Sequence, residues 1–455
     1  MCAKFYRDED PKYNIVDSMR DSLRYTTRRC LTTYNGNLCA TSSFVDPAGE
    51  PALWHEFGAV EGIGWAANAI GGAAELLAYG EDLADPRATS IGVSVLYHGL
   101  EDGFIHPDGT VTPYRDIPSD KRYRNFLHRD DHDDWLCPGS VAHIALQCLW
   151  AADRCQADCL KQRLRSTALL IASWMSGHLG LCTNGWYPRR CAPNGTAYPL
   201  ESWGVREDAQ FDHSGDGTYI MWLFTELTAR GLLDKTDEVR RAWKVYSGLG
   251  GCFGSINHDT HDDQENVAYS VGFRCLLRVA DLLKDPTIQD WAFKYCLEPL
   301  QRFQMTENRN GVETQGLLYM EDSWDTCYLW ENAEAAMAYL EAAHRGGGRE
   351  CELNGLTILR TAARHHHGEY GFLTEGVDWN NHNGVWREVD GRKIPIHVGG
   401  VTYGDVNYTQ PFLNNMHITT PTLFYLKELA VKRETDMETV YRDCEGNILL
   451  RVTHG

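Results

Sequence analysis

The sequence predicts an all-α protein, an (α/α)6 toroid of six inner and six outer helices with small β-hairpin decorations. Three observations carry this. Stretches that are apolar nearly all round the helix alternate with amphipathic ones. The turns inside each pair are short and recur, and no low-complexity linker separates the pairs. We therefore expect a single domain over residues 1–455, with a β-hairpin insertion near 371–402 and a short tail over 433–455.

Taken in order, the chain first shows an amphipathic stretch with Ile15, Met19 and Leu23 at four-residue spacing. A nearly apolar helix is expected from about Glu56, with its amphipathic partner from Pro86. In Ala84-Asp85-Pro86 the Asp can cap and the Pro can take the first helical position. Gly58, Gly62, Gly64, Gly71 and Gly72 follow no nucleotide-binding fingerprint and read as helix positions that allow close packing. The second pair starts near Gly139 and Asp158. In its outer member Leu160, Leu164, Ala168, Ile171 and Met175 share one face, with Lys161, Arg163 and Arg165 opposite. The third pair starts near Gly215 and Asp237, after the looser turn Leu233-Asp234. The fourth starts near Gln264 and Pro286, where Lys284-Asp285-Pro286 repeats the first turn. The fifth starts near Trp324 and Glu350, and the sixth inner helix near Thr409. The N-terminal helix completes the set by packing beside the last. Between Gly371 and Thr402 the helical period fails, and Arg387–Ile394 reads as a hairpin about Asp390-Gly391. Val440–Asp443 and Gly446–Leu450 read as a second hairpin.

Composition narrows the function. With 43 basic and 63 acidic residues the net charge is −20, which repels phosphate backbones and anionic lipid. We expect no nucleic-acid and no membrane partner. Hydrophobic residues at 43% and charged residues at 23% exclude disorder. The 15 cysteines are odd in number and lack framework spacing, and Cys148, Cys275 and Cys327 sit in apolar stretches as small hydrophobes. Cys155 and Cys159 lack a second pair at zinc spacing. With no apolar leader segment in residues 1–14, a cytoplasmic location is expected. His365-His366-His367 reads as a solvated cluster ending an outer helix. No metal and no cofactor are expected.

The chemistry gathers in the long connections that lead into inner helices. These are His128–Trp135, Glu207–Asp216, His258–Glu265, Glu321–Asp325 and Tyr403–Tyr408. In a toroid all five emerge on one face. Capping accounts for one acid per helix, but not for three or four beside Trp, Tyr and His. Crowded carboxylates split in pKa, which prepares an acid beside a base, the pair that glycoside hydrolysis requires. Aromatic faces suit sugar rings.

This alternation with acidic, aromatic loops resembles the six-hairpin (α/α)6 carbohydrate-active enzymes, over most of the chain in architecture. Asp133-Asp134-Trp135-Leu136 is similar to the segments that open inner helices in unsaturated glucuronyl hydrolases. The resemblance implies a glycoside hydrolase acting on an oligosaccharide or glycoside with inversion. Asp134 and Asp263 are the expected acid/base pair, with Asp216, Asp325 and Asp405 next. His132, Trp135, Trp186, His261, Trp324, Tyr403, Asn407, Tyr408 and His417 are expected to line the sugar subsites. The alternatives are a lyase or uronide-active enzyme, with Arg189, Arg190 and Arg387 as the positive charge, a sugar epimerase, and a non-catalytic glycan binder.

Overall fold

The first helix begins where Asn14 can cap it. The Asn14 side chain accepts from the backbone N–H of Val16 and Asp17, and Asp17 accepts from Asn14 N–H in return, a capping box. In this computed structural model the described residues are 13–42, 44–45, 51–52, 60–64, 67–124, 135–197, 214–251, 264–309, 311–321, 326–366, 371–377, 379, 386–389, 392–395, 417–435, 438–443 and 446–453.

The helices run α1 Ile15–Arg29, α2 Ala69–Asp82, α3 Pro86–Glu101, α4 Pro138–Arg154, α5 Asp158–His178 and α6 Gly217–Ala229. They continue as α7 Thr236–Gly248, α8 Asn266–Leu283, α9 Pro286–Ala292, α10 Leu329–Ala342, α11 Gly348–Ala363 and α12 Thr419–Phe424. Both α9 and α12 extend as π-helical turns, over Phe293–Leu297 and Tyr425–Leu429. Asp85 and Asp285 cap α3 and α9 through their side chains, with Pro at the first position. The recurrent turn therefore forms as its chemistry dictates.

The even-numbered helices close a ring. Each packs on the next, from α2 through α4, α6, α8 and α10 to α12, and α12 packs back on α2. Outside them α3, α5, α7, α9 and α11 each pack on the inner helix they follow, and α1 packs on α12 and α11. The chain is an (α/α)6 toroid, and α1 supplies the sixth outer helix. Inner helices are buried on most of their circumference, as in α4, where only Ser140, Trp150, Asp153 and Arg154 keep partial or full exposure. At the end remote from the openings, ion pairs tie neighbours together. Arg154 meets Glu81 at 2.8 Å, Lys427 meets Asp82 at 2.8 Å, and Arg230 meets Asp153 at 2.6 Å.

Three inner helices start later than the pattern indicates: α2 at Ala69 instead of Glu56, α10 at Leu329 instead of Trp324, and α12 at Thr419 instead of Thr409. For α2 the reason is a strand. Val60–Gly62 pairs with Thr41–Ser42 and with Tyr114–Asp116 in a five-stranded antiparallel sheet, completed by Leu31–Tyr34 and Arg122–Tyr123. This sheet was not foreseen. Gly62 accordingly lies on a strand, not a helix, and Gly64 follows it in a bend; Gly58 lies outside the described residues. Gly71 and Gly72 are helical, and a Cβ on Gly71 would strike the side chains of Asn68 and Gln147. Trp386–Val389 pairs with Arg392–Pro395 in the expected register about Asp390-Gly391. The tail hairpin forms too, widened by Val431–Thr435 into three strands.

The histidine run departs from expectation. His365 and His366 are buried, not solvated. His365 Nε2 donates to the Glu313 carbonyl at 2.6 Å. His366 Nδ1 donates to the Gly371 carbonyl at 2.8 Å, so its Nε2 accepts from Ser18 Oγ at 2.6 Å. His366 thus fastens α1 to the end of α11. His367 lies outside the described residues.

Candidate functional site

The inner helices are apolar, so each polar side chain they turn inward stands out. Asn68, just before α2, has a left-handed backbone (φ 45°), and its Oδ1 accepts from Gln147 Nε2 at 2.6 Å. Gln147 lies one turn after His143 on α4, with the two Nε2 atoms 3.4 Å apart. The His143 ring stacks on Tyr219 of α6 at 4.4 Å. Arg274 of α8 pairs with Glu334 of α10. Trp330, at the start of α10, lies 6.5 Å from the ring of His417, which immediately precedes α12. Thr420 of α12 donates to Glu75 of α2 at 3.0 Å. These groups come from all six inner helices and converge on the axis of the ring.

Burial sets their charge. Desolvation, with His417 and Arg274 adding positive charge nearby, lowers His143 to about 3. Desolvation lowers His417 to about 4. Both rings are therefore neutral at pH 7, and His417 Nε2 is buried with no hydrogen-bond partner. Desolvation, reinforced by Glu334, pushes Glu75 well above the usual carboxylate range. Burial raises the Tyr219 phenol well above its ordinary value. Below this layer Glu341 of α10 is held down against the cost of its own burial by Arg278 and Arg274. The axis offers neutral bases, a carboxyl group shifted toward its protonated form, a phenol and a neutralised arginine. That is equipment for proton transfer.

The opening of α6 is built differently. Trp186 Nε1 donates to the Ser214 carbonyl at 2.8 Å, and Ser214 Oγ donates to Asp216 Oδ2 at 2.9 Å. Arg189 Nε lies 3.8 Å from the same Asp216 oxygen, and all these side chains are buried. Arg190 sits over the Trp135 ring at 4.4 Å.

Of the residues that the sequence singled out, His417 reaches the axis. Asp216 and Trp135 are buried at inner-helix openings. Trp186 corrects the expectation of a sugar-stacking face: it is fully buried, flanked by Tyr187 and Tyr246, and a Cβ on Gly217 would lie 2.6 Å from its Nε1. It is core. His132, Asp134, His261, Asp263, Trp324, Asp325, Tyr403, Asp405, Asn407 and Tyr408 lie outside the described residues. The axial residues Glu75, His143, Tyr219, Arg274 and Glu334 were not anticipated. The available signal was a titratable side chain inside an otherwise apolar helix.

One described group has metal-ligand composition: Cys39, Glu61 and His98, all buried beneath the five-stranded sheet. His98 Nε2 donates to Glu61 at 2.6 Å, and the Arg115 guanidinium forks onto the same carboxylate. Burial, then Glu61, push the Cys39 thiol up. A cation would have to displace the guanidinium and strip a reluctant thiol, so the cluster reads as an internal ion pair. Every described cysteine is free, and no described helix is long and apolar enough to cross a membrane.

No protein-family model and no curated protein matches the chain. Solved structures do. A D-mannose isomerase superposes with a TM-score of 0.62 at 11% identity, covering 93% of this chain and all of that one. A sugar epimerase from a ruminal bacterium superposes at 0.61 and 13% identity, covering 90% of this chain and 97% of the other. A family 76 glycoside hydrolase (mannosidase) from Bacteroides thetaiotaomicron superposes at 0.56 and 10% identity, over 90% of this chain and 98% of the other. At such identities the likeness is one of fold.

Proposed function

We propose that this chain is a carbohydrate-active enzyme that transfers a proton on a neutral sugar bound in the axis of the ring, as an epimerase or isomerase. His417 carries the reading, because its Nε2 is neutral, buried and unpartnered, within electrostatic reach of a second neutral ring, His143. Taking the hydrogen beside a sugar carbonyl needs a base with a free lone pair at neutral pH. Delivering a proton to the other face needs a second group that carries one. For epimerisation His417 takes the proton and becomes imidazolium, His143 takes a proton from solvent and delivers it to the opposite face, and His417 then releases its own to solvent. For isomerisation one ring moves the proton between neighbouring carbons. Trp330 offers an aromatic wall. The fold likeness to a sugar epimerase and to a D-mannose isomerase agrees with this.

A glycoside hydrolase is the second reading. Asp216 favours it, buried at an inner-helix opening beside Arg189. In that reading Asp134 and Asp263 act as acid and base, with Asp325 and Asp405 as the next candidates. Incubation with D-mannose, cellobiose and mannan oligosaccharides in D2O, followed by NMR, separates the two. Proton transfer leaves chain length unchanged and puts deuterium on the carbon beside the carbonyl, and His417→Asn abolishes the label. Shortened chains without label sink the leading reading and support hydrolysis.

A further inference from the structure

The axis holds an acid that the proton transfer above does not use. Glu75 sits in the second turn of α2, a helix otherwise apolar there, and is only 9% exposed. Its Oε1 accepts the Thr420 hydroxyl at 3.0 Å, while Oε2 is buried without a partner. Among the described residues no cation pairs with it, and the charge that acts on it is Glu334, already engaged by Arg274. Burial and that like charge raise Glu75 well above the usual carboxylate range and so favour its protonated form. A buried hydroxyl of this kind costs free energy until it finds an acceptor.

The surrounding charges limit what that acceptor can be. Arg274 faces both Glu334 and Glu341, Arg189 faces Asp216, and Arg190 lies over Trp135. Among the described residues, a ligand carboxylate in the axis would meet Glu334 with the nearby guanidinium already spoken for, and would be desolvated without a counter-charge.

We propose that Glu75 Oε2 is a substrate-binding donor, giving a hydrogen bond to a hydroxyl or ring oxygen of a neutral sugar deep in the axis, and that the same surroundings reject uronic acids. The inference rests on the axis being the sugar site and narrows its substrate class.

Calorimetric titration of the full chain at neutral pH with D-mannose, D-glucose and D-glucuronate tests it. A neutral sugar should bind at least about tenfold tighter than D-glucuronate, since an unpaired buried charge costs well over the 1.4 kcal/mol that tenfold represents. Glu75→Leu should weaken the neutral sugar about tenfold or more, and Glu75→Gln, which keeps a donor, should lose less. Circular dichroism and thermal melting confirm that both variants are folded, and the mannose–glucuronate comparison needs no variant. Equal binding of D-glucuronate overturns the proposal, as does wild-type affinity in folded Glu75→Leu or failure of both neutral sugars to bind. Binding without deuterium exchange refutes the proton-transfer reading and leaves the Glu75 subsite standing.

Discussion

Glu341→Leu tests how the wall of the ring supports its axis. Glu341 is 4% exposed at the seam of α8 and α10. It accepts both terminal nitrogens of Arg278, one of them at 2.6 Å, and lies 3.6 Å from Arg274 Nε. Removing the carboxylate leaves two guanidiniums without that partner in a largely buried seam. Breaking a buried pair from one side costs about 3–5 kcal/mol. Arg278, 29% exposed at its side chain, can recover some hydration, whereas Arg274 at 9% cannot. The lower end, about 3 kcal/mol, is therefore expected. Urea denaturation followed by tryptophan fluorescence reads it as a lowered midpoint. Pairing the change with Arg278→Met should restore part of the loss, because the stranded charge goes with its partner. A loss under about 1 kcal/mol, or no recovery in the double variant, refutes the reasoning.

Three further outcomes follow from the same geometry. If neutral His417 is the base, kcat/KM should hold from pH 7 downward and fall only near pH 4, whereas an acid limb near 6.5 assigns the chemistry elsewhere. Glu75 is raised in the folded state, so its contribution to stability is full below its unfolded value of 4.5 and declines as pH rises above it. The melting temperature of Glu75→Gln relative to wild type should thus increase from pH 5 to pH 8, and a constant difference contradicts a protonated Glu75. Trp186→Ala removes a core ring and its bond to Ser214 and should cost about 3–5 kcal/mol. Native stability with weakened sugar binding would return Trp186 to the sugar site.

Local chemistry was the legible part of the fold. Asp85-Pro86 and Asp285-Pro286 can be read from four residues, because cap and proline act on their own helix. The start of α2 cannot, since Val60–Gly62 becomes a strand only when Tyr114–Asp116 arrives beside it. The same distinction holds at the site. Trp186 beside an acidic loop looks like a sugar platform, and its burial depends on Ser214 and Gly217, about thirty residues away. Conversely Glu75, His143, Arg274 and Glu334 were visible as titratable residues in helices that have no wet face, where they require partners or a purpose. A search centred on acid-rich loops passes over them. His417 was singled out with the polar and aromatic residues of the stretch from Tyr403 to His417; its protonation state is a property of the assembled ring.

The seal between α12 and α2 joins residues 345 apart, through Thr420 with Glu75 and Lys427 with Asp82. During synthesis, which proceeds from the N-terminus, the first five inner helices emerge as an open arc with two oily edges, on α2 and α10, awaiting one short helix. Contacts at such separation form late and slowly. His417, adjoining that last helix, arrives with the piece that shuts the arc, so no partial translation product carries this ring in place. A ribosome that stalls before this point presents to the cell a sticky crescent, a natural client for chaperones and for swapping of the missing helix between neighbouring chains.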